Sequence, residues 1–99
     1  MPLAPDIVQR VLAEAGADTD EMLAQLSAIA SEVPGVGDRV LRCLVYLSRG
    51  SLASLSAAAE TVRQDWRDTI VAAEYEPRPG TKRFQGDYIQ VRDFNQPFA

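Results

Sequence analysis

Residues 40–49, VLRCLVYLSR, are followed by Gly50-Ser51 and then by residues 52–75, LASLSAAAETVRQDWRDTIVAAEY. Apolar side chains cover more than half of the first segment's circumference, which is typical of a helix surrounded by others. In the second segment apolar residues recur at steps of three and four, which predicts a long helix with one narrow packing face. That stripe consists of Leu52, Leu55, Ala59, Val62, Trp66, Ile70 and Ala73. Gly50 suits a helix stop and Ser51 a helix cap, so the stretch predicts a tight helical hairpin.

Two further helices are expected before this hairpin. The first is predicted over residues 5–15 and is stopped by Gly16. The second is predicted to begin at Asp18, with Glu21 completing a capping box, and to end at Pro34-Gly35. Asp38 is the expected cap of the third helix, which carries residues 40–49.

The sequence therefore predicts an all-α fold, an antiparallel bundle of about four helices over residues 1–76. Residues 77–99 are predicted to form an extended C-terminal arm, because Pro77 and Pro79-Gly80 end the last helix. In the arm, Gly86-Asp87 suits a two-residue turn, so a short β-hairpin is one conformation open to it. The arm is expected to pack across the bundle or to reach a second subunit.

Amino-acid composition and charge exclude several classes of function. The chain has 99 residues, no His, one Cys and a formal net charge of −4. The acidic balance argues against general nucleic-acid binding, which needs a basic surface. No apolar run is long enough for a membrane span and the first residues do not read as a signal peptide, so the cytoplasm is the expected location. Cys43 is expected to be a small buried hydrophobic residue.

The predicted arm is basic and aromatic, whereas the predicted bundle is acidic. Residues 1–76 carry 12 acidic and 6 basic side chains, and residues 77–99 carry 4 basic and 2 acidic ones. A lone hairpin is marginal in water, so aromatic residues in the arm gain from docking on the bundle or on another chain. The candidate partner-docking residues are Phe84, Tyr88, Phe94 and Phe98.

The candidate binding face lies on the polar side of the third helix and comprises Arg39, Arg42, Tyr46 and Arg49. Three guanidinium groups beside a phenol can grip a phosphate, a carboxylate or an acidic partner. The alternative is that these arginines pair with acidic side chains of the bundle, which is the commoner outcome for clustered charges.

Asp65 and Asp68 flank Trp66, and two carboxylates three residues apart can hold a metal or act as an acid–base pair. A divalent ion needs more ligands, so a buried Trp flanked by solvated or ion-paired charges is the favoured interpretation. No catalytic residue, metal ligand or cofactor site is predicted, and the chain is not expected to be an enzyme.

Several short motifs resemble a set of small, uncharacterised, largely helical bacterial proteins. The motifs are Arg39-x-x-Arg42-Cys43, Asp65-Trp66-Arg67-Asp68, Ala73-Glu74-Tyr75 and Arg92-Asp93-Phe94-x-x-Pro97-Phe98. The resemblance covers residues 36–99 and implies a bacterial, cytoplasmic, all-helical protein with a tail. It implies no activity.

Three functions are compatible with these features. The first is a non-enzymatic protein–protein interaction or assembly module, most simply a homodimer. The second is a small anion- or ligand-binding protein, or an enzyme, that uses the candidate binding face. The third is a helix-turn-helix regulator of nucleic acid, disfavoured because the helix that would serve as the recognition helix is poor in base-reading side chains near its start.

Overall fold

The computed structural model describes residues 3–80 and 88–98. In that part of the chain, four α-helices precede a small two-stranded sheet: α1 Pro5–Ala15, α2 Thr19–Glu32, α3 Asp38–Ser48, α4 Leu52–Glu74, β1 Tyr75–Pro77 and β2 Tyr88–Gln90. A single 3₁₀ turn joins α1 to α2. The predicted mainly helical fold is confirmed, and the two-stranded sheet is compatible with the short C-terminal β-hairpin that the sequence analysis left open.

The hydrophobic core surrounds α3, which packs against α4 and α1. Seven of the eleven residues of α3 are buried, which identifies it as the central helix. All four helices contribute to the main cluster of buried side chains: Ile7, Val11, Met22, Leu26, Ile29, Val36, Val40, Leu41, Leu44, Val45, Leu55, Ala59 and Val62. Burial of these apolar surfaces is the main force holding the helices together.

The helix ends follow local sequence signals only in part. Ser51 Oγ accepts a hydrogen bond from Ser54 N at 3.2 Å, which confirms the predicted cap of α4. The predicted capping bonds of Asp18 and Asp38 are absent, so those two predictions were wrong. Asp18 belongs to the 3₁₀ turn and lacks the extended conformation of a capping residue, and Asp38 is already helical, with Gly37 in the cap position.

Helix α4 bends at Asp65, whose φ of −159° and ψ of 108° are not helical. The Asp65 carboxylate accepts a hydrogen bond from Arg67 N at 3.0 Å, the kind of bond that a capping residue makes. Asp65 thus caps a second helical segment inside the long helix. Beyond the bend, Thr69 and Glu74 are buried as well as the predicted stripe residue Ala73.

Strands β1 and β2 pair antiparallel, with Pro77 opposite Tyr88. The predicted turn Gly86-Asp87 and the predicted docking residue Phe84 lie outside the described residues. The partner of β2 is the segment that directly follows α4, so the sheet spans the predicted boundary between bundle and arm. This pairing continues from the end of the helix, where the carbonyl of Glu74 accepts a hydrogen bond from Val91 N at 2.8 Å.

Across residues 3–80 and 88–98, no helix has the length and apolar character required to cross a membrane.

Candidate functional site

The C-terminal arm is fixed to the bundle by a buried carboxylate. Glu74 has no exposed surface, and its two carboxylate oxygens accept hydrogen bonds from Arg39 Nη2 at 2.7 Å and Nε at 2.9 Å. Gln90 Nε2 donates to the same group at 2.7 Å, Phe94 N at 3.2 Å, and the Cys43 thiol at 3.7 Å. Glu74 therefore joins α3, α4, β2 and the segment after β2.

Electrostatics keep this carboxylate ionised. The hydrogen bonds from the Arg39 guanidinium lower the pKa of Glu74 below its ordinary value, and the bonds from Gln90 and Phe94 N act in the same direction. Burial acts in the opposite direction but does not prevail. A charged group without solvent contact is tolerable only because it is paired and fully hydrogen-bonded.

A second ion pair holds the end of the arm. Arg42 donates to both carboxylate oxygens of Asp6, at 2.8 and 3.2 Å, and to the carbonyl of Phe94 at 3.2 Å. Asp6 also accepts a hydrogen bond from Phe98 N at 3.1 Å. The Arg42 guanidinium lowers the pKa of Asp6. Both backbone polar groups of Phe94 are thus bound by Glu74 and Arg42, the buried members of the two ion pairs.

Aromatic contacts complete the docking of the arm. The Phe94 ring lies 5.2 Å from the Tyr46 ring and 5.7 Å from the Phe98 ring, between centroids. Arg10 lies over Phe98 at 4.5 Å and Arg92 over Tyr46 at 4.7 Å, which are cation–π distances. In this structure the arm packs across its own bundle, which is one of the two arrangements that the sequence analysis left open.

The candidate binding face is divided by these contacts. Arg39 and Arg42 are engaged by carboxylates of the bundle and line one depression of about 590 Å³ beside Trp66. Tyr46 and Arg49 line a different depression. The predicted alternative of internal ion pairs therefore describes Arg39 and Arg42, and the four side chains do not converge on one pocket.

The second depression has a volume of about 310 Å³ and is lined by Arg10, Glu14, Tyr46 and Arg49. Arg49 is exposed, and within residues 3–80 and 88–98 it makes no ion pair. We call this site the Arg10/Arg49 depression. Two guanidinium groups, a phenol and one carboxylate give it the capacity to bind a small anion.

Sequence reasoning missed the two carboxylates that organise the site. A straight α4 places Glu74 on the solvated flank of the helix, and nothing in the local pattern signals the bend at Asp65. Asp6 lies 36 residues from Arg42, and no short-range spacing connects them. The excess of acidic residues over residues 1–76 is the one sequence signal for internal ion pairs.

Cys43 is buried, as expected. Burial, with the neighbouring Glu74 carboxylate, raises the pKa of its thiol to about 12. A protonated, inaccessible thiol is a poor nucleophile.

The two aspartates beside Trp66 do not form one site. Asp65 is bonded to its neighbour Arg67, with Oδ1 3.0 Å from Arg67 Nε, whereas Asp68 lines a separate groove. Among the residues that the structure describes, no group of three or more His, Cys, Asp or Glu side chains is placed to hold a metal ion.

A groove of about 520 Å³ lies between the last turns of α4 and the sheet. It is lined by Asp68, Val71, Ala72, Tyr75, Pro77 and Tyr88, and we call it the α4–sheet groove. Of the predicted docking residues described here, Tyr88 contributes to this groove, whereas Phe94 is buried and Phe98 half-buried against the bundle.

Comparison with known proteins gives no matching family model, no significant match among curated proteins and none among solved structures. The resemblance to uncharacterised helical bacterial proteins therefore stays a prediction from the sequence motifs.

Proposed function

We propose that the protein is a non-enzymatic interaction module, and that it associates with a second copy of itself through the α4–sheet groove. The observation that carries this proposal is the apolar character of the groove. Val71 is 48% exposed and Tyr88 39% exposed, and they lie beside Ala72 and Pro77. Contiguous exposed apolar surface is a common feature of interaction sites.

Charge favours a second copy as the occupant. Among residues 3–80 and 88–98, Asp68 is the one charged residue that lines the groove, so a two-fold contact between identical grooves brings together mainly apolar groups of that part of the chain. Few charges then need to be desolvated on association. Association would also stabilise a chain of this size, because 99 residues bury only about 60–65% of their unfolded surface without a partner.

The arm contributes to this association through Tyr88 alone among its described aromatic residues. Phe94 and Phe98 satisfy their backbone and ring contacts on the bundle of the same chain. The proposed dimer therefore requires no exchange of arms. A bacterial, cytoplasmic setting remains part of the proposal.

The test is light scattering behind a sizing column on the full chain over a range of concentrations. We expect a dimer for the unmodified protein and a monomer for Val71→Asp, because a carboxylate in the contact is desolvated without a partner. Leu12→Asp is the matched control: Leu12 is a 58% exposed apolar residue on α1 and lines no part of the groove.

A dimer that persists in Val71→Asp places the contact elsewhere and contradicts the proposed surface. A strictly monomeric unmodified protein at high concentration contradicts self-association. Loss of the dimer in both variants indicates a nonspecific effect of surface charge and argues equally against the groove.

A further inference from the structure

We propose that the Arg10/Arg49 depression is a binding site for a small phosphate monoester. This site is distinct from the α4–sheet groove, since its lining residues lie on α1, on α3 and at the end of α3. Four observations support it: the backbone conformation of Arg49, the close approach of α1 to the α3–α4 junction, the weak ion pairing of the arginines in the depression, and the volume of the depression.

Arg49 has a backbone conformation that favours glycine. Its φ is 49° and its ψ is 38°, and it is the one residue other than glycine with a positive φ in residues 3–80 and 88–98. A long side chain pays strain in this conformation, whereas Gly or Asn adopts it readily. Such strain is commonly retained at functional positions. Here the residue in this conformation lines the depression.

The neighbouring Gly50 determines where α1 lies. A Cβ atom at Gly50 would stand 2.6 Å from the carbonyl oxygen of Glu14, so only glycine permits this approach. The contact holds the last turn of α1 against the α3–α4 junction. Arg10 lies one turn before Glu14 and therefore faces the same depression as Arg49 and Tyr46.

Within the ranges that the structure describes, neither lining arginine is held in a strong ion pair, although Arg10 also lies over the Phe98 ring at 4.5 Å. The Arg10–Glu14 contact is 3.9 Å long and its two side chains are about two-fifths exposed, which is a weak pair. The Tyr46 ring is fixed by Phe94 and Arg92, but its hydroxyl has no hydrogen-bond partner in the described part of the chain. This contrasts with Arg39 and Arg42, whose guanidinium groups are already bound by carboxylates.

The chemistry and size of the depression indicate the ligand. Guanidinium groups bind phosphate oxygens in bidentate fashion, and a phenol adds a neutral donor. A volume of about 310 Å³ is at the small end of ligand sites, which suits a phosphorylated metabolite rather than a nucleic-acid backbone. The Glu14 carboxylate repels any anion in the depression, so both arginines are required to bind one.

The experiment is a titration of the full chain, followed by two-dimensional nuclear magnetic resonance, with inorganic phosphate, methyl phosphate and acetate at constant ionic strength. We expect saturable shifts of the Arg10 and Arg49 side-chain resonances and of the Gly50 amide. Methyl phosphate is expected to bind more tightly than acetate. Equal binding of inorganic and methyl phosphate identifies free phosphate as a sufficient ligand and still supports an anion site.

Arg49→Gly provides the sharpest variant. It is expected to weaken methyl phosphate binding at least tenfold and to raise the melting temperature by a few degrees, since glycine relieves the backbone strain. Arg49→Asn is expected to behave in the same way. The matched control is Arg63→Gln, which removes an exposed arginine from α4 and is expected to leave binding unchanged.

Shifts spread evenly over all arginines, or binding that survives Arg49→Gly, would overturn the proposal. So would an equal loss of binding in Arg63→Gln. A lower melting temperature in both Arg49 variants would show that the arginine serves the fold, and would overturn it as well.

Discussion

Arg39 and Glu74 form a two-bonded ion pair between α3 and the last residue of α4, and the carboxylate of this pair is fully buried. Because Glu74 also accepts hydrogen bonds from Gln90 and from Phe94 N, the pair fixes the position of the C-terminal arm. The location of the arm in turn leaves the α4–sheet groove and the Arg10/Arg49 depression as accessible surfaces.

Removing the charge of Glu74 is expected to destabilise the fold strongly. In Glu74→Gln, Arg39 loses its counter-charge but, with 35% of its side chain exposed, keeps contact with solvent, so we expect the free energy of unfolding to fall by about 2 kcal/mol. Urea unfolding followed by circular dichroism measures this change. Glu60→Gln is the control, because Glu60 pairs with Arg63 on an exposed surface and its loss is expected to cost no more than about 0.5 kcal/mol. Equal effects of the two substitutions would refute a special role for Glu74.

Stability is expected to depend on pH through the two lowered carboxylate pKa values. Glu74 and Asp6 both have pKa values below their ordinary ones in the folded protein. Their contribution is therefore fully present above the unfolded-state pKa values of about 4 and is lost as the pH falls through the folded-state values. Urea midpoints measured between pH 7 and pH 3 should be flat near neutrality and fall steeply below about pH 4. In the double variant Asp6→Asn/Glu74→Gln, the fall of the urea midpoint below about pH 4 should be much smaller. If the midpoint falls as steeply as in the unmodified protein, other carboxylates cause the acid sensitivity.

Cys43 is expected to be unreactive in the folded protein. Its thiol is buried and its pKa is raised to about 12, so almost none of it is thiolate at neutral pH. A thiol-specific chromogenic reagent should label it only at the rate of unfolding, and should label it rapidly in concentrated urea. Rapid stoichiometric labelling under native conditions would contradict the buried position.

Thr69 offers a stabilising substitution. Its hydroxyl is buried and, within the described part of the chain, has no hydrogen-bond partner. In a regular helix a threonine hydroxyl can bond the carbonyl four residues earlier, but that residue is Asp65, where α4 bends. Thr69→Val keeps the side-chain shape and is expected to raise the free energy of unfolding by about 1 kcal/mol. A clear loss of stability in thermal melts would mean that the hydroxyl is satisfied in solution.

The helices were predictable because their signals are local. The break at Gly50, the cap at Ser51 and the apolar stripe from Leu52 to Ala73 each depend on residues within a few positions of one another. Asp38 shows the limit of such signals, because a side chain suited to capping also fits the first helical turn, and Gly37 occupies the cap position.

The organisation of the candidate site was not predictable for a different physical reason. The bend at Asp65 changes which residues after it are buried, and a straight-helix projection leaves Glu74 in solvent. The pairs Arg39–Glu74 and Arg42–Asp6 join residues 35 and 36 positions apart, and their choice of partner depends on the packing of whole helices. Sequence alone therefore identified the arginines but not what they bind.

The most direct test of the account is amide hydrogen exchange at Phe94 in the full chain, because Phe94 N donates to the buried carboxylate of Glu74. We predict protection at Phe94 comparable with that of core amides of α3, and a large loss of that protection in Glu74→Gln with the α3 amides affected less. Rapid exchange at Phe94 in the unmodified protein would show that the arm does not rest on the bundle, and would contradict the account.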